Sequence, residues 1–341
     1  MAGDARTDET LDLLVVGAGP TGIAIGAEAR REGLSALLLD RGPLTAAIQE
    51  YPTFLEFFTT RDRLEIAGIP FSTPEDKPTR RQALAYYAGV VARYQVPLAL
   101  HEEVLEVKKE GDEFRVLSRP TLNVEPPRQR RARAVAIATG YWGNPYVLGV
   151  PGEDLAWVHG RYREPYPYFG HDVVVVGAGN SAVEAALDLW RNGARVTLVH
   201  RGAAVRPGIK YWLKPDIENR IAEGSIAVRF ESVVESFGPE GVAIRTPQGR
   251  ELLPAQAAFV LIGYRPDVEF ERRCGIEIDP QTLIPSYDPE TCESNVSGLY
   301  VAGTLQAGRA TDRIFIENSR DHGPKIVAHL SRRLSGAALP A

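Results

Sequence analysis

The sequence predicts an α/β protein made of two Rossmann-like, three-layer dinucleotide-binding domains. Three observations carry this. At 341 residues the chain is long for a single core. Two stretches, "LLVVGAGPTG" (Leu13–Gly22) and "VVVVGAGNSA" (Val173–Ala182), each read as a strand, a glycine loop and the start of a helix. They also recur in register. At the same offset of 160 residues, Gly33 falls on Gly193 and "LLLDRG" (Leu37–Gly42) falls on "TLVHRG" (Thr197–Gly202). One glycine pattern alone is weak, because such loops arise in turns of no consequence. Two, each followed at equal distance by a second strand, are a repeated device.

In each copy a buried strand delivers the chain to a tight turn, where glycines remove the side chains that would block a diphosphate. The helix beginning there offers unpaired N–H groups and the positive end of its dipole. Gly17, Gly19 and Gly22 fill the small positions of the first copy, with Pro20 and Thr21 between them. Gly177, Gly179 and Ala182 fill those of the second, with Asn180 and Ser181 between. Asn180 is expected to cap a helix running to Asn192, and "VTLVHR" and "AAFVLIGY" read as buried strands.

The tips of the second strands differ in charge. Asp40 ends the first, where a carboxylate accepts hydrogen bonds from an adenosine ribose and repels a 2′-phosphate. The second copy has His200 there, then Arg201, with Arg206 further on, which suits the 2′-phosphate of NADPH. Two dinucleotide sites of opposite character imply FAD and a nicotinamide nucleotide as cofactors.

Composition excludes other classes. An apolar fraction of 44%, a charged fraction of 24% and a net charge of -5 describe an ordinary soluble domain with no basic footprint for nucleic acid. The one basic cluster, Arg128, Arg130, Arg131 and Arg133, reads as the solvated end of a hairpin. No signal peptide or membrane span is expected, and two cysteines, Cys274 and Cys292, fit a cytoplasmic protein. No metal site is expected, since histidines and cysteines show no ligand spacing.

"AVAIATGYWGNP" (Ala134–Pro145) and "GLYVAGT" (Gly298–Thr304) are short buried strands running into small residues. On these the chain resembles the thioredoxin-reductase-like flavoproteins with two dinucleotide sites. The resemblance implies a discontinuous FAD domain, residues 1–155 and 285–341, with an NADPH domain inserted at 156–284. It implies FAD contacts from the first glycine loop, Asp40, Arg41, Val104, Thr139, Gly140, Gly303 and Thr304. Thr304 stands where that group usually has Asp. For NADPH it implies the second loop, His200, Arg201, Arg206 and Gly263. Over "YPTFLEFFTTRDRLEIAGIPF" (Tyr51–Phe71), "KYWLKPDIENRI" (Lys210–Ile221) and "TDRIFIENSRDHG" (Thr311–Gly323) the chain resembles the YpdA-like bacillithiol disulfide reductase family. That implies NADPH-driven, FAD-mediated reduction of a small disulfide by a homodimer.

The chain has no Cys-x-x-Cys pair. The family often has "GPC" where this sequence has "GPT", so Thr21 stands in place of a thiol. The resemblance places Cys274 in the nucleotide domain, and both cysteines read as structural. Candidates beside the flavin are Thr21, Thr53, Tyr141 and His322, the last as a helix-surface residue or proton relay. Other acceptors remain open: ferredoxin or flavodoxin as small electron-carrier partners, oxygen in a flavin monooxygenase, or none in a redox sensor. A charge-assisted contact is worth ~1.5–3 kcal/mol, so Arg201→Ala should raise the KM for NADPH roughly ten- to a hundredfold. The KM for NADH should stay nearly unchanged; equal effects on both would show that Arg201 does not hold the phosphate.

Overall fold

A computed structural model of the chain describes residues 9–336. It separates into two compact units. The first comprises the chain through Gln49, Leu55–Asn144 and the chain from Arg265; the second comprises Glu50–Phe54 and Pro145–Tyr264. The borders of the inserted unit therefore fall at Pro145 and Tyr264, against the sequence reading of 156–284. The reason lies in pairing: Pro145 bridges Tyr264, and the Tyr146 N–H donates to the Gly263 carbonyl at 2.9 Å. Entry and exit strands of the insert are thus stitched together earlier than expected. Beyond Arg265, Phe270, Cys274 and Ile276 pack into the first unit's core. Cys274 accordingly belongs to the first unit and not to the nucleotide insert.

The first unit is built on a seven-stranded sheet. Leu11–Val16 lies between Ala36–Asp40 and Arg128–Ile137, parallel to both. Leu98–Leu100 extends one side and Leu299–Val301 pairs with the end of Arg128–Ile137, again in parallel. Glu102–Glu110, Glu113–Pro120 and the start of Arg128–Ile137 form an antiparallel meander. The runs "LLVV", "LLL" and "AVAI" are buried on both faces, as a sheet covered by helices requires. One cover is the helix Pro20–Arg31, on which the helix His322–Leu334 packs. Gly323 permits that approach: a Cβ there would lie 3.0 Å from the Ala24 carbonyl oxygen.

The second unit repeats the plan. Its five-stranded parallel sheet runs Ala227–Arg229, Arg195–Val199, Asp172–Val176, Ala257–Val260, Val158–His159. The helix Asn180–Arg191 presents Ala182, Val183, Ala186 and Leu189 to it, and a three-stranded antiparallel sheet completes the unit. Among the described residues no helix is long and apolar enough to cross a membrane.

The basic cluster is a structural ladder. Arg128 and Arg130 both reach the carboxylate of Glu102, which is only 2% exposed and also accepts from the Ser118 hydroxyl at 2.6 Å. Burial pushes the Glu102 carboxyl up, but Arg130, Ser118 and Arg128 together hold it below the usual range. Arg131 pairs with Glu113 and Arg133 with Asp12. These arginines meet acids on other strands of the same sheet, Glu102 lying one strand beyond the immediate neighbour.

Glu271 is the opposite case. On the short helix Val268–Arg273 it is 1% exposed, and neither carboxyl oxygen has a hydrogen-bond partner. Burial, with the charge of Asp267, pushes its pKa up to about 8 from an ordinary 4.5. The folded chain keeps a proton there that the unfolded chain releases above its lower pKa. Stability therefore falls as pH rises from 4.5 to about 8, by up to ~1.4 kcal/mol per pH unit. Glu271→Gln should raise the urea midpoint by a margin that grows between about pH 6 and 8. A margin that does not change with pH would show the carboxyl to be ionised in the fold.

Candidate functional site

The two glycine loops match bond for bond. The Gly17 N–H donates to the Leu39 carbonyl at 2.7 Å, and Gly177 to Val199 at 2.9 Å. The crossing strands attach likewise, Ala138 N–H to Val16 O and Leu261 N–H to Val176 O, both at 2.8 Å. Gly17 (φ 115°) and Gly177 (φ 130°) lie where only glycine is comfortable. A Cβ on either would collide with a carbonyl, that of Ala138 or of Leu261. These two glycines are demanded by the turn itself.

Gly19 and Gly179 are not. Both are extended (φ −80° and −87°, with ψ near 180°), which any residue adopts. A Cβ on Gly19 would meet no described atom within 4 Å, and one on Gly179 only an Arg206 nitrogen at 4.0 Å. Each stands immediately before a helix whose first N–H groups have no side-chain cap. The bare backbone at these points fits a group from outside the chain, and its position suits a diphosphate. Asn180 is therefore not the cap; it is the first helical residue, and its Oδ1 accepts from the Lys210 N–H at 2.9 Å.

In the first unit Asp40 faces this loop. Its Oδ2 accepts from the Ala18 N–H and its Oδ1 from the Gly42 N–H, both at 2.8 Å. Burial raises its carboxyl above the usual range despite these donors and Arg41. Two of the carboxylate's lone-pair sites are taken, which leaves others for a ribose diol. Arg41 turns back, its guanidinium filling the space beside Gly143.

Several expected residues gather around the start of the first helix. The Thr21 Oγ1 lies 3.2 Å from the Ser319 Oγ and packs against Gly303, where a Cβ would be 2.9 Å away. The Gly303 N–H donates to His322 Nδ1 at 3.0 Å. Gly140 and Thr304 adjoin, with 3.4 Å between the Thr304 Oγ1 and a Cβ on Gly140. Thr139 is exposed one residue earlier. His322 is buried, not a surface residue, and burial pushes its pKa down to about 4. It is neutral at neutral pH, and an Nδ1 that accepts requires the Nε2–H tautomer. In this state its Nδ1 is taken up by the Gly303 N–H and orders that turn. Ser319 gave no sequence signal, since its contact with Thr21 spans most of the chain.

The remaining candidates have contacts of their own. The Tyr141 hydroxyl donates to the Thr311 carbonyl at 3.0 Å and tethers a loop. Val104 packs against the first unit's core. Thr53 belongs to the second unit, where its N–H donates to the Arg163 carbonyl at 2.8 Å. Cys274 and Cys292 are both buried free thiols. Burial pushes Cys274 up to about 12 and raises Cys292 as well, so neither is a thiolate at neutral pH. Among the described residues no cluster could hold a metal.

In the second unit Arg201 and Arg206 are exposed, while His200 is partly buried. Burial, then Arg201 and Arg206, lower the His200 pKa, so the imidazole is neutral and the positive charge there comes from the two arginines. The Arg206 N–H donates to the Ala178 carbonyl at 3.1 Å, which ties its loop to the glycine turn. Gly263 (φ 106°) follows Leu261 at the end of the neighbouring strand. Ser181 is exposed and Ala182 buried against the sheet.

The sequence profile of the pyridine nucleotide-disulphide oxidoreductase family matches residues 14–303. Bacilliredoxin reductase Bdr of Bacillus subtilis is 38% identical over 322 residues, 94% of this chain and 97% of its own. The solved bacillithiol disulfide reductase Bdr (YpdA) of Bacillus cereus superposes with a TM-score of 0.92 at 35% identity, covering 95% of this chain and 100% of its own. A thioredoxin reductase of T. acidophilum, at 21% identity and a TM-score of 0.74, shares the fold over 96% of this chain and 100% of its own. The chain is thus a thioredoxin-reductase-like flavin- and NAD(P)H-dependent oxidoreductase, and it belongs to the YpdA-like group of the pyridine nucleotide-disulphide oxidoreductase family.

Proposed function

We propose that this chain binds FAD in its first unit and NADPH in its second, and reduces a bacillithiol-type disulfide without an enzyme thiol. The observation that carries the cofactor reading is the pair Gly19 and Gly179, glycines the fold itself does not need. The charge at the strand tips supports the assignment: Asp40 suits an unphosphorylated adenosine, and Arg201 with Arg206 suits a 2′-phosphate. When bound, the flavin accepts the nicotinamide hydride and passes two electrons on. The balance is NADPH, a proton and a disulfide giving NADP+ and two thiols.

The relatives that support this reading are named a bacilliredoxin reductase and a bacillithiol disulfide reductase. The absence of a Cys-x-x-Cys pair and the high thiol pKa values support direct reduction of the acceptor. The work assigned to the protein is to orient both cofactors and to order the Thr21–Gly303–His322 corner. The same reading has it act as a homodimer in the cytoplasm.

Gly19→Ala should fold normally but lose most of its bound flavin, measured as the flavin-to-protein ratio. Gly179→Ala should keep its flavin and lose NADPH affinity by at least about tenfold. A yellow Gly19→Ala protein with full flavin content would end this assignment. The double variant Cys274→Ser, Cys292→Ser should turn over bacillithiol disulfide with NADPH within about threefold of the parent. Loss of turnover with flavin retained would instead demonstrate a thiol relay.

A further inference from the structure

The segment from Arg201 to Leu213 carries both arginines assigned to the 2′-phosphate. Val205, Ile209 and Leu213 anchor it in the second unit's core. Polar contacts hold it as well. Two of these reach the glycine loop: the Arg206 N–H to Ala178 O at 3.1 Å, and the Lys210 N–H to Asn180 Oδ1 at 2.9 Å. The Lys210 ammonium also pairs with Glu184, one turn further along the same helix, and lies 5.6 Å from the Trp212 ring centroid. Lys210 is therefore fastened to the helix by both its backbone and its side chain.

We propose that Lys210 is a positioning residue that, through Glu184 and Asn180, locks the arginine-bearing segment against the glycine loop and thereby sets the preference for NADPH. The proposal rests on the reading that the second unit takes NADPH. Lys210 is not itself the phosphate ligand, because its ammonium is matched by the Glu184 carboxylate and covered on one side by Trp212. Its effect is entropic. A segment already held in register loses little freedom when Arg206 meets a phosphate, whereas a loosened one loses more. NADH has no 2′-phosphate to meet, so the same loosening touches it little.

The test is steady-state kinetics of the full-length flavin-loaded enzyme with NADPH and NADH, using the variants Lys210→Met, Lys210→Arg and Glu184→Gln. Lys210→Met keeps the apolar stem and removes the charge. It should raise the KM for NADPH at least about fivefold, with kcat and the KM for NADH within about twofold. Glu184→Gln breaks the same pair from the other side and should give the same selective rise even if Lys210→Met is poorly folded. Lys210→Arg should recover most of the affinity. An NADPH KM within about twofold of the parent in both Lys210→Met and Glu184→Gln overturns the proposal. So does an equal rise for both nucleotides, the signature of a merely structural pair. The double variant Arg201→Ala, Arg206→Ala separates the underlying reading. If that variant keeps the parent's preference for NADPH over NADH, the 2′-phosphate assignment fails, whatever Lys210 does.

Discussion

Each unit depends on one backbone arrangement: the end of a buried strand turning beneath the carbonyl of the strand that crosses next to it. Gly17 sits under Ala138, and Gly177 under Leu261, each so close that a methyl group has no room. The turn is closed by the glycine's own N–H donating to the second strand of its copy. Once it is closed, the following helix must begin with its free N–H groups at the sheet's carboxyl edge. The uncapped start of each helix is thus a consequence of packing. Gly19 and Gly179 are left bare at that edge, where the turn itself does not require them.

Given one device used twice, the chemistry is divided by what surrounds it. In the first unit Asp40 supplies negative charge, and Thr21, Gly303, Ser319 and His322 form a small, nearly uncharged corner. In the second, a neutral His200 stands beside two exposed arginines. Neither buried cysteine ionises at neutral pH, because desolvation disfavours the thiolate. Both cysteines of this chain are thus buried thiols, in a fold whose solved relatives are named disulfide reductases.

Much of this was legible beforehand. The internal repeat, both glycine loops, the opposite charge of the strand tips and the neighbouring strands Ala134–Ile137 and Leu299–Val301 follow from local pattern. That is because a doubly covered strand must be continuously apolar, and a phosphate turn must be glycine-rich. The misreadings share a cause. Asn180 was expected to cap its own helix, yet its side chain serves a loop thirty positions on. His322 was expected at a helix surface, yet it is buried under the Gly303 turn. Cys274 was expected in the insert, yet its chain has already returned to the first unit's core. Each of these depends on a contact between segments distant in sequence, which periodicity cannot register.

Sequence by itself therefore determined the fold class, the family and the two glycine loops, since each is set by residues adjacent in the chain. Tertiary structure alone decided which glycines the turn requires and which it does not. It also decided the surroundings of each buried carboxyl: two arginines pair with Glu102, while burial and then the charge of Asp267 push the Glu271 pKa up. Both glutamates are buried, and nothing local distinguishes them. The free energy of a charge depends on what stands within a few ångströms, and only the folded chain specifies that.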